Sequence, residues 1–299
     1  MKATLDEMKV FRTVVDAGSI SAAAEQLSMT ISATSRSLAR LESKLSTTLL
    51  NRTTRQFELT EEGSLYLVRV RKILFSVDEA EALVTDKKGY PSGLLRINAA
   101  SPFMFHVIAP LIALYQQEYP EVEIELSTNE ENIDLLGKRT DIAIRIGQLK
   151  DSTMKATRLA TSSIRVLASP DYLERVGTPR SVSDLANHRL LGFCRFEFLN
   201  DWPLQTTEGE LLRIKPKVRA ESGETLRHMA LNNDGIVCLS DFMTRSDRRQ
   251  GALIEVLPEA RLDIRQPIHA VYYANAVASA RVRSFIDFMK RHMSDEGFE

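Results

Sequence analysis

Apolar residues recur at helical spacing through the first 45 positions and divide that segment into three short helices. The spacing predicts a first helix that ends at Ala17-Gly18, a second from Ser21 to Leu27, and a third that Thr30 can N-cap. The apolar stripe of the third helix consists of Ile31, Leu38, Leu41 and Leu45. The opposite face carries hydroxyl groups and cations, namely Ser32, Thr34, Ser35, Arg36, Arg40 and Lys44. One face is therefore expected to join a core, while the other stays polar and positively charged.

The link between the second and third helices, Ser28-Met29, leaves room only for a tight turn. Helix, tight turn and polar-faced helix form the helix-turn-helix pattern, whose second helix enters the major groove of DNA. The net charge of the chain is −1, but the segment from Ser28 to Phe57 carries five cations and one acid, Glu42. That local excess is typical of a phosphate-binding surface. The helix pattern alone also fits an ordinary piece of a helical bundle, so it leaves both interpretations open.

The segment from Leu49 to Leu59 is typical of two short extended runs with a turn at Thr53-Thr54. Arginines flank the turn, and beside a helix-turn-helix this favours a wing that follows the DNA backbone or enters the minor groove. A plain surface hairpin with solvated arginines is the alternative. Base edges are predicted to be read by Ser32, Thr34, Ser35 and Arg36. Phosphates are predicted to be held by Arg40, Arg52 and Arg55, with Thr53 of the turn on the same surface.

A long helix is predicted after Thr60, which suits an N-cap, with Glu61 and Glu62 in the first turn, where the helix dipole favours acids. It runs to about Asp86 without glycine or proline after Gly63. Apolar residues recur at steps of four and three, at Tyr66, Val70, Ile73, Val77, Ala80 and Val84. This spacing is typical of a coiled-coil seam, so we expect a homodimer through this helix. The alternative is that the helix packs on the C-terminal part of its own chain.

Residues 87–93 combine charge, two glycines and a proline, which is typical of a hinge. From Leu94 onwards, strand-like and helix-like patterns alternate, which predicts a parallel sheet with crossover helices. The predicted strands cover residues 94–100, 122–126, 141–146, 164–168, 189–194, 236–239, 253–257 and 266–273. The predicted helices cover residues 103–119, 132–139, 224–232, 242–248 and 279–292.

Five segments near the N-terminus are specific in combination and in order. They are Gly18 to Leu27, Ser35-Arg36, Leu41-Glu42, Leu49 to Arg55, and Leu59 to Gly63. Together they closely resemble the DNA-binding domain of the LysR-type transcriptional regulators, and the resemblance continues at lower specificity to the C-terminus. In that family the linker helix pairs antiparallel with its twin, so the resemblance implies a homodimer and double-stranded DNA with a dyad-symmetric site. A homotetramer is a further assembly that the family often forms.

The resemblance implies an α+β multidomain fold. A winged helix-turn-helix is expected at residues 1–59, a dimerisation helix at 60–87, a hinge at 88–93, and an effector-binding domain at 94–299. That last part is expected to be a two-lobed α/β domain like a periplasmic binding protein, with a small-molecule effector between its lobes. The chain would cross between the lobes near residues 161–163 and 264–267. Lobe I would contain residues 94–162 and 267–299, and lobe II residues 163–266.

Strand ends beside helix starts are the usual ligand-binding corners of open α/β sheets. Ser101 can cap the helix that follows it, and this corner is either an anion site or an ordinary helix start. Arg145 can pair with a carboxylate of the effector or with Glu130 or Glu131, and Phe193 either lines the cleft or fills the core. By the resemblance, the expected effector contacts are Ser101, Phe103, Asn129, Arg145, Gly147, Phe193 and Ser222. The expected effector is anionic or aromatic.

Length and composition restrict the class of protein further. A chain of 299 residues suffices for two or three domains. It has neither an export signal nor an apolar run that could cross a bilayer, so we expect a cytoplasmic protein. Its two cysteines, Cys194 and Cys238, lie in strand-like runs and are expected to be buried free thiols. A redox-sensing pair is the alternative, and it would need accessible sulfurs of low pKa.

No catalytic arrangement is evident in the sequence. The five histidines are scattered without metal-ligand spacing, and there is no phosphate-binding glycine loop or nucleophile elbow, so no catalytic residue, metal or cofactor is expected. The sequence therefore predicts a sequence-specific DNA-binding regulator that responds to a small effector and is not an enzyme. The alternative is an α/β enzyme or a solute-binding protein whose N-terminal helices only dimerise.

Overall fold

The structure is a computed structural model that describes residues 3–52, 57–85, 90–128, 140–149, 154–206, 208–273 and 279–293. The chain forms two compact units, one that ends at Lys88 and one that begins at Gly89. Within the described ranges, every helix is too short or too polar to reach across a bilayer.

The N-terminal unit contains the helices α1 (Leu5–Ala17), α2 (Ile20–Gln26), α3 (Ile31–Leu45) and α4 (Glu61–Thr85) and the strands β1 (Leu50–Arg52) and β2 (Phe57–Leu59). The two strands pair antiparallel, with Leu50 opposite Leu59. Three short helices, a strand pair and a long helix thus follow each other in the predicted order. The turn predicted at Thr53-Thr54 lies outside the described residues.

Polar residues begin α2 and α3. The hydroxyl of Thr30 accepts a hydrogen bond from the backbone N–H of Ala33 at 3.2 Å, as predicted, and that of Ser19 accepts from Ala22 at 3.1 Å. Gly18 follows α1 at a φ of +69°, a conformation that glycine adopts without a steric penalty. The limits of these short helices therefore follow from local sequence.

One hydrophobic core holds the N-terminal unit together. It includes Leu38 and Leu41 of α3, as predicted, and also Val70 of α4, all fully buried. The predicted coiled-coil seam is wrong at this end of α4, because Val70 and the half-buried Tyr66 pack on the unit's own helices. The ring of Tyr66 lies 5.8 Å from that of Phe11 of α1. Among the side chains of α4 that the structure describes, the large apolar ones that are exposed are Leu65, Val68 and Ile73.

The strands of the C-terminal unit are β3 (Gly93–Ala99), β4 (Val122–Thr128), β5 (Ile142–Ile146), β6 (Lys155–Ala168), β7 (Leu190–Phe193), β8 (Asp201–Gln205), β9 (Leu211–Arg213), β10 (Val218–Ala220), β11 (Ile236–Ser240), β12 (Ile254–Glu255) and β13 (Arg265–Tyr272). Most of them join one sheet in the order β10-β7-β11-β6-β13-β5-β3-β4, with β12 also beside β6. Strands β8 and β9, which the sequence pattern does not predict, pair separately.

Two long strands join the halves of this sheet. From Lys155 to Ser163, β6 pairs with β13, and from Ile164 onwards it pairs with β11. One half, lobe I, contains the parallel strands β3, β4 and β5, and the other, lobe II, contains the parallel strands β7, β10 and β11. The two-lobed α/β fold is thus confirmed, while the numerical limits of the domains and lobes stay predictions.

The helices of this unit are α5 (Ser101–Phe103), α6 (Ala109–Glu118), α7 (Pro170–Val176), α8 (Gly223–Leu231), α9 (Asp241–Arg249) and α10 (Ala280–Met293). A π-helical turn, Met104–Ile108, joins α5 to α6, and within it the N–H of Ala109 donates to the carbonyl of Met104 five residues earlier. Pro110 follows at once and has no N–H to donate, which is a usual cause of helix irregularity. The helix predicted at residues 132–139 lies outside the described residues.

The last strand and helix return to lobe I. Strand β13 pairs with β5, and α10 packs on α6. The buried hydroxyl of Tyr115 lies 2.8 Å from that of Ser284, and its ring meets Phe285 and Phe288 edge-on at 5.4 and 5.1 Å. Burial raises the pKa of Tyr115 to about 12, so this phenol stays neutral in the helix interface.

Candidate nucleic-acid interface and effector site

The exposed face of α3 is the candidate nucleic-acid interface. Ser32, Arg36 and Arg40 follow each other at helical spacing, and all three are exposed. Arg36 and Arg40 line a shallow concave surface whose other residues are Met29, Ala33, Ala39 and Ser43. Because most of these side chains are small, a groove edge of duplex DNA can approach the two guanidinium groups closely.

The single acid of α3 does not neutralise this face. The carboxylate of Glu42 accepts hydrogen bonds from the backbone N–H groups of Leu49 at 2.8 Å and Leu50 at 3.2 Å. It thereby ties the start of β1 to the end of α3, and its charge is directed at these backbone donors. The positive charge of Arg36 and Arg40 stays available on the opposite side.

Two residues predicted on the polar face of α3 have other roles. Thr34 is fully buried, and its hydroxyl donates to the carbonyl of Thr30 at 3.1 Å, so the prediction that it contacts DNA is withdrawn. The ammonium group of Lys44 lies 2.8 Å from the carboxylate of the buried Glu7 of α1, an ion pair that lowers the pKa of this carboxylate. Lys44 therefore anchors α3 to α1, while the half-buried Ser35 keeps its predicted place beside the exposed face.

The predicted wing is described only in part. The backbone of Arg52 lies in β1, but the side chain of Arg52 and all of Thr53 and Arg55 are outside the described residues. Their predicted contacts with DNA stay predictions. Thr60, at the base of the wing, N-caps α4 as predicted, since its hydroxyl accepts from the N–H of Gly63 at 2.9 Å, and it also donates to the carbonyl of Thr48 at 2.8 Å.

The carboxyl ends of three parallel strands bring polar side chains together in lobe I. Asn98 of β3 is buried, and its amide donates to the hydroxyl of Ser127 of β4 at 3.0 Å. The guanidinium of Arg145 of β5 donates to the amide oxygen of Asn98 at 3.1 Å and to the carbonyl of Ile144 at 3.0 Å. Burial lowers the pKa of Arg145, because desolvation disfavours its cation. The predicted residue Arg145 thus belongs to a polar row, whose members Asn98 and Ser127 the prediction missed.

The corner after β3 differs from the prediction. The N-cap of α5 is Ala100, which has no capping side chain, and Ser101 is the first helical residue. Ser101 therefore does not cap the helix, although it makes a side-chain or backbone contact of its own. Phe103 is fully buried, and its ring meets that of Phe242 of α9 edge-on at 5.3 Å. It joins lobe I to lobe II as a core residue, which corrects its assignment to an open cleft.

The other predicted contacts lie at strand and helix ends. Phe193 ends β7 half-exposed, and its backbone exchanges two hydrogen bonds, of 2.8 and 2.9 Å, with the amide of Asn200. Ser222 caps α8 by accepting from the N–H of Glu224 at 3.2 Å. Gly147 has a φ of +91°, and its N–H donates to the carbonyl of Pro267 at 2.8 Å. Asn129 is outside the described residues, so its role stays a prediction.

A polar contact also links the lobes. The imidazole of His106, in the π-helical turn of lobe I, lies 2.8 Å from the carboxylate of Glu224 at the start of α8 in lobe II. The guanidinium of Arg227 donates hydrogen bonds to the same carboxylate at 2.7 Å and to the carboxylate of Asp247 of α9 at 2.5 Å. Burial raises the pKa of Glu224, but the hydrogen bonds from His106 and Arg227 outweigh it and leave the pKa below its ordinary value. The lobes are therefore held together by this chain of polar side chains as well as by Phe103.

The two cysteines differ in exposure. Cys238 is buried in β11, as predicted, and burial raises the pKa of its thiol. Cys194 is exposed just after β7, so the prediction that both thiols are buried is wrong for this residue.

We expect a thiol reagent at neutral pH to modify Cys194 of the native chain quickly and Cys238 only after unfolding. Mass spectrometry of the labelled peptides checks this, and rapid labelling of Cys238 in the native chain would contradict the packing of β11.

Two protein families match the chain. Residues 5–64 match the family described as bacterial regulatory helix-turn-helix protein, lysR family. Residues 88–294 match the family described as LysR substrate binding domain. The first range contains α1 to α3 with the β1–β2 pair, and the second contains both lobes.

Curated relatives and solved structures are similar along nearly the whole chain. The HTH-type transcriptional regulator CrgA of Neisseria meningitidis serogroup B is 43% identical over 295 residues, which cover 99% of each protein. A solved structure of CrgA from Neisseria meningitidis matches with a TM-score of 0.67, covering 97% of this chain and 99% of that chain. The HTH-type transcriptional activator AaeR of Escherichia coli K12 is 31% identical, covering 98% of this chain and 95% of the relative. The full-length Vibrio cholerae virulence activator AphB is 26% identical, with a TM-score of 0.63 over 97% of this chain and 99% of that chain.

Proposed function

The chain belongs to the LysR family of transcriptional regulators, and from this premise we propose that a pair of α3 helices reads a dyad-symmetric DNA site under the control of an anionic effector. Regulators of this family bind DNA and small effectors and form oligomers. The observation that carries the proposal is the exposed face of α3, where Arg36 and Arg40 stand among small side chains and Glu42 is turned to backbone donors. Guanidinium groups on a recognition helix suit both guanine edges and phosphates.

A selection experiment tests the DNA half of this proposal. The full chain is incubated with a library of duplexes that carry a randomised central segment, and bound duplexes are amplified and sequenced. We expect an inverted repeat to be enriched, because two subunits related by a twofold axis present the same helix to two half-sites. Enrichment of no sequence at all would contradict the proposal.

We place the dimer contact on the exposed stripe of α4. Leu65, Val68 and Ile73 remain exposed beside a helical face that is already buried in its own unit. Viewed along the helix axis, Val68 and Ile73 lie on either side of Leu65, each within about 80° of it, and an exposed apolar face of this kind favours pairing with a second copy. This stripe takes the place of Tyr66 and Val70 in the predicted seam, and Ile73 belongs to both.

Leu65→Ala is expected to weaken the dimer by at least about a hundredfold, since each dimer loses two interface leucines and truncating each one costs about 1.4 kcal/mol or more. Sedimentation of the full chain over a range of concentrations measures the dissociation constant. Val176→Ala, which truncates an exposed apolar residue in lobe II, serves as the matched control and is expected to leave the constant unchanged. Equal dissociation constants for Leu65→Ala and the native chain would remove Leu65 from the interface.

The effector is proposed to carry a carboxylate that binds Arg145. The guanidinium is desolvated and held in place by Asn98, so an anion that reaches it meets a pre-oriented donor. An effector that prefers one arrangement of the lobes shifts the population of the regulator toward that arrangement, and by linkage the DNA affinity shifts with it.

Arg145→Gln is expected to weaken binding of such an effector by about 10- to 150-fold, because a charge-assisted hydrogen bond to a carboxylate contributes about 1.5–3 kcal/mol. A thermal-shift screen of aliphatic and aromatic carboxylic acids on the full chain identifies binders, and titrations then compare the variants. Arg96→Gln removes an arginine of β3 that pairs with the exposed Glu125, and it is the control. Unchanged affinity in Arg145→Gln would exclude Arg145 from the site.

A further inference from the structure

The tip of α3 carries an exposed branched apolar side chain. Ile31 is the first residue of the helix, directly after the N-cap Thr30, and 57% of its surface is exposed. By helical periodicity it lies on the same face as Leu38, which is fully buried. The two residues differ in exposure because the core of the N-terminal unit covers the middle of α3 and does not extend to its first turn. The sequence-based assignment of Ile31 to the buried stripe is therefore wrong.

Exposed apolar residues are common on protein surfaces, so exposure alone says little. What distinguishes Ile31 is its position on the element that enters DNA. In helix-turn-helix proteins, the residues at the start of the recognition helix reach the base edges. The Cα–Cβ bonds of a helix tilt toward its N-terminus, so a side chain in the first turn points past the helix end toward the floor of the groove. Ile31 directly precedes the exposed Ser32 in the first turn of α3, and the exposed Arg36 lies one turn further along the same helix.

The floor of the major groove offers one apolar group, the C5-methyl of thymine. A side chain without hydrogen-bonding atoms cannot satisfy the donors and acceptors of the other bases, so burying it against them leaves polar edges unpaired. Against a thymine methyl, both groups lose water without losing a hydrogen bond. The charged residues on the same helix hold the backbone near enough for this contact.

We propose that Ile31 contacts the methyl group of a thymine and so specifies T·A at one position of each half-site. This inference rests on the proposed DNA-reading role of α3 and adds a residue and a base to it. The basic residue Arg40 positions the helix on the phosphates, Ser32, Ser35 and Arg36 are the hydrogen-bonding neighbours, and Ile31 supplies the apolar part of recognition.

The test uses the inverted repeat that the full chain selects from randomised duplexes. Each thymine of a half-site is replaced in turn, in both half-sites, by deoxyuridine, which lacks only the methyl group. We expect one position at which the native chain loses about fourfold in affinity for each half-site, the change expected for one buried methyl group. Ile31→Ala should bind the thymine duplex more weakly by a similar factor and should no longer distinguish thymine from deoxyuridine at that position.

Two further variants control the experiment. Ile31→Val keeps a branched side chain and should retain part of the discrimination, while Leu5→Ala truncates an exposed leucine of α1 and should retain all of it. If a site is selected but no thymine is sensitive to deoxyuridine in the native chain, the inference is overturned while the DNA-reading role of α3 stands. The inference is likewise overturned if Ile31→Ala keeps the full preference for thymine. If no sequence is selected, the DNA-reading role fails as well.

Discussion

Arg36→Ala is expected to weaken binding to the selected DNA site by about 1–3 kcal/mol, or about 5- to 150-fold, and to relax the sequence preference at one position of each half-site. The reason is that Arg36 stands on the exposed face of α3 among small side chains, where its fork of donors can reach a guanine edge.

Arg40→Ala should instead weaken binding to all duplexes alike, because a phosphate contact carries no sequence information. It should also lower the slope of log affinity against log salt concentration by about one unit.

Fluorescence anisotropy at several salt concentrations distinguishes the loss of sequence preference from the uniform loss of affinity. It compares the affinities for the selected duplex and for a scrambled duplex. Lys9→Ala is the matched control, since it removes one exposed cation of α1 from the same unit and should change neither quantity. Lys44 is unsuitable as a control, because its loss would leave the buried Glu7 without its partner. If Arg36→Ala left both affinity and preference unchanged, Arg36 would have to be removed from the DNA-reading residues.

Gly63→Ala is expected to destabilise the N-terminal unit by about 3 kcal/mol. A Cβ at Gly63 would overlap the carbonyl oxygen of Leu49 and lie 2.9 Å from its carbonyl carbon. Both are backbone atoms at the start of the wing, so no side-chain rotation relieves the overlap. The first turn of α4 sits this close because the hydroxyl of Thr60 bonds Thr48 and caps the helix at Gly63. Relief would require separating α4 from β1.

Thermal unfolding followed by circular dichroism checks this prediction, and a loss of about 3 kcal/mol should lower the Tm of this unit by more than about 10 °C. Ser64→Ala changes the exposed neighbour in the same turn and should stay within about 0.5 kcal/mol of the native chain. A native-like Tm for Gly63→Ala would show that α4 does not lie against the start of β1 in solution.

Local sequence predicts the helices well but not where the core ends along them. The cap at Thr30 and the buried pair Leu38 and Leu41 follow from short-range chemistry and periodicity. Periodicity assigns a face and gives no information about what covers that face, so it places Ile31 in the core and Thr34 on the surface, and both assignments are wrong. Which residues of α3 are buried depends on how far α1 and α2 extend along it.

The same limit explains the seam of α4. The spacing of Tyr66 and Val70 is that of a coiled coil, but a helix that packs on its own domain needs the same spacing. The structure assigns these residues to the unit's own core, and it leaves Leu65, Val68 and Ile73 exposed for a partner, of which Ile73 belongs to the predicted seam. A single sequence does not distinguish these cases, because the choice depends on tertiary contacts between α1 and α4.

The candidate effector site is harder still to predict. The strand-end rule points to Arg145, because β3, β4 and β5 run parallel and end at the same edge of lobe I, and its contact with an effector stays a prediction. It assigns no role to Asn98, whose amide joins Ser127 to Arg145, since a lone asparagine at a strand end has no distinctive pattern. The family resemblance assigns Phe103 to a cleft, whereas contact with Phe242, distant in sequence, buries its ring. Contacts of this kind arise only when the lobes meet.

The most direct measurement of the central claim, that α3 reads DNA, is a pair of binding titrations. The native chain and the double variant Arg36→Ala/Arg40→Ala are each titrated with the selected inverted repeat and with a scrambled duplex of the same composition. We predict that the native chain binds the repeat at least tenfold more tightly than the scrambled duplex and that the double variant binds both weakly and equally. Equal binding of both duplexes by the native chain, or full discrimination by the double variant, would contradict the claim.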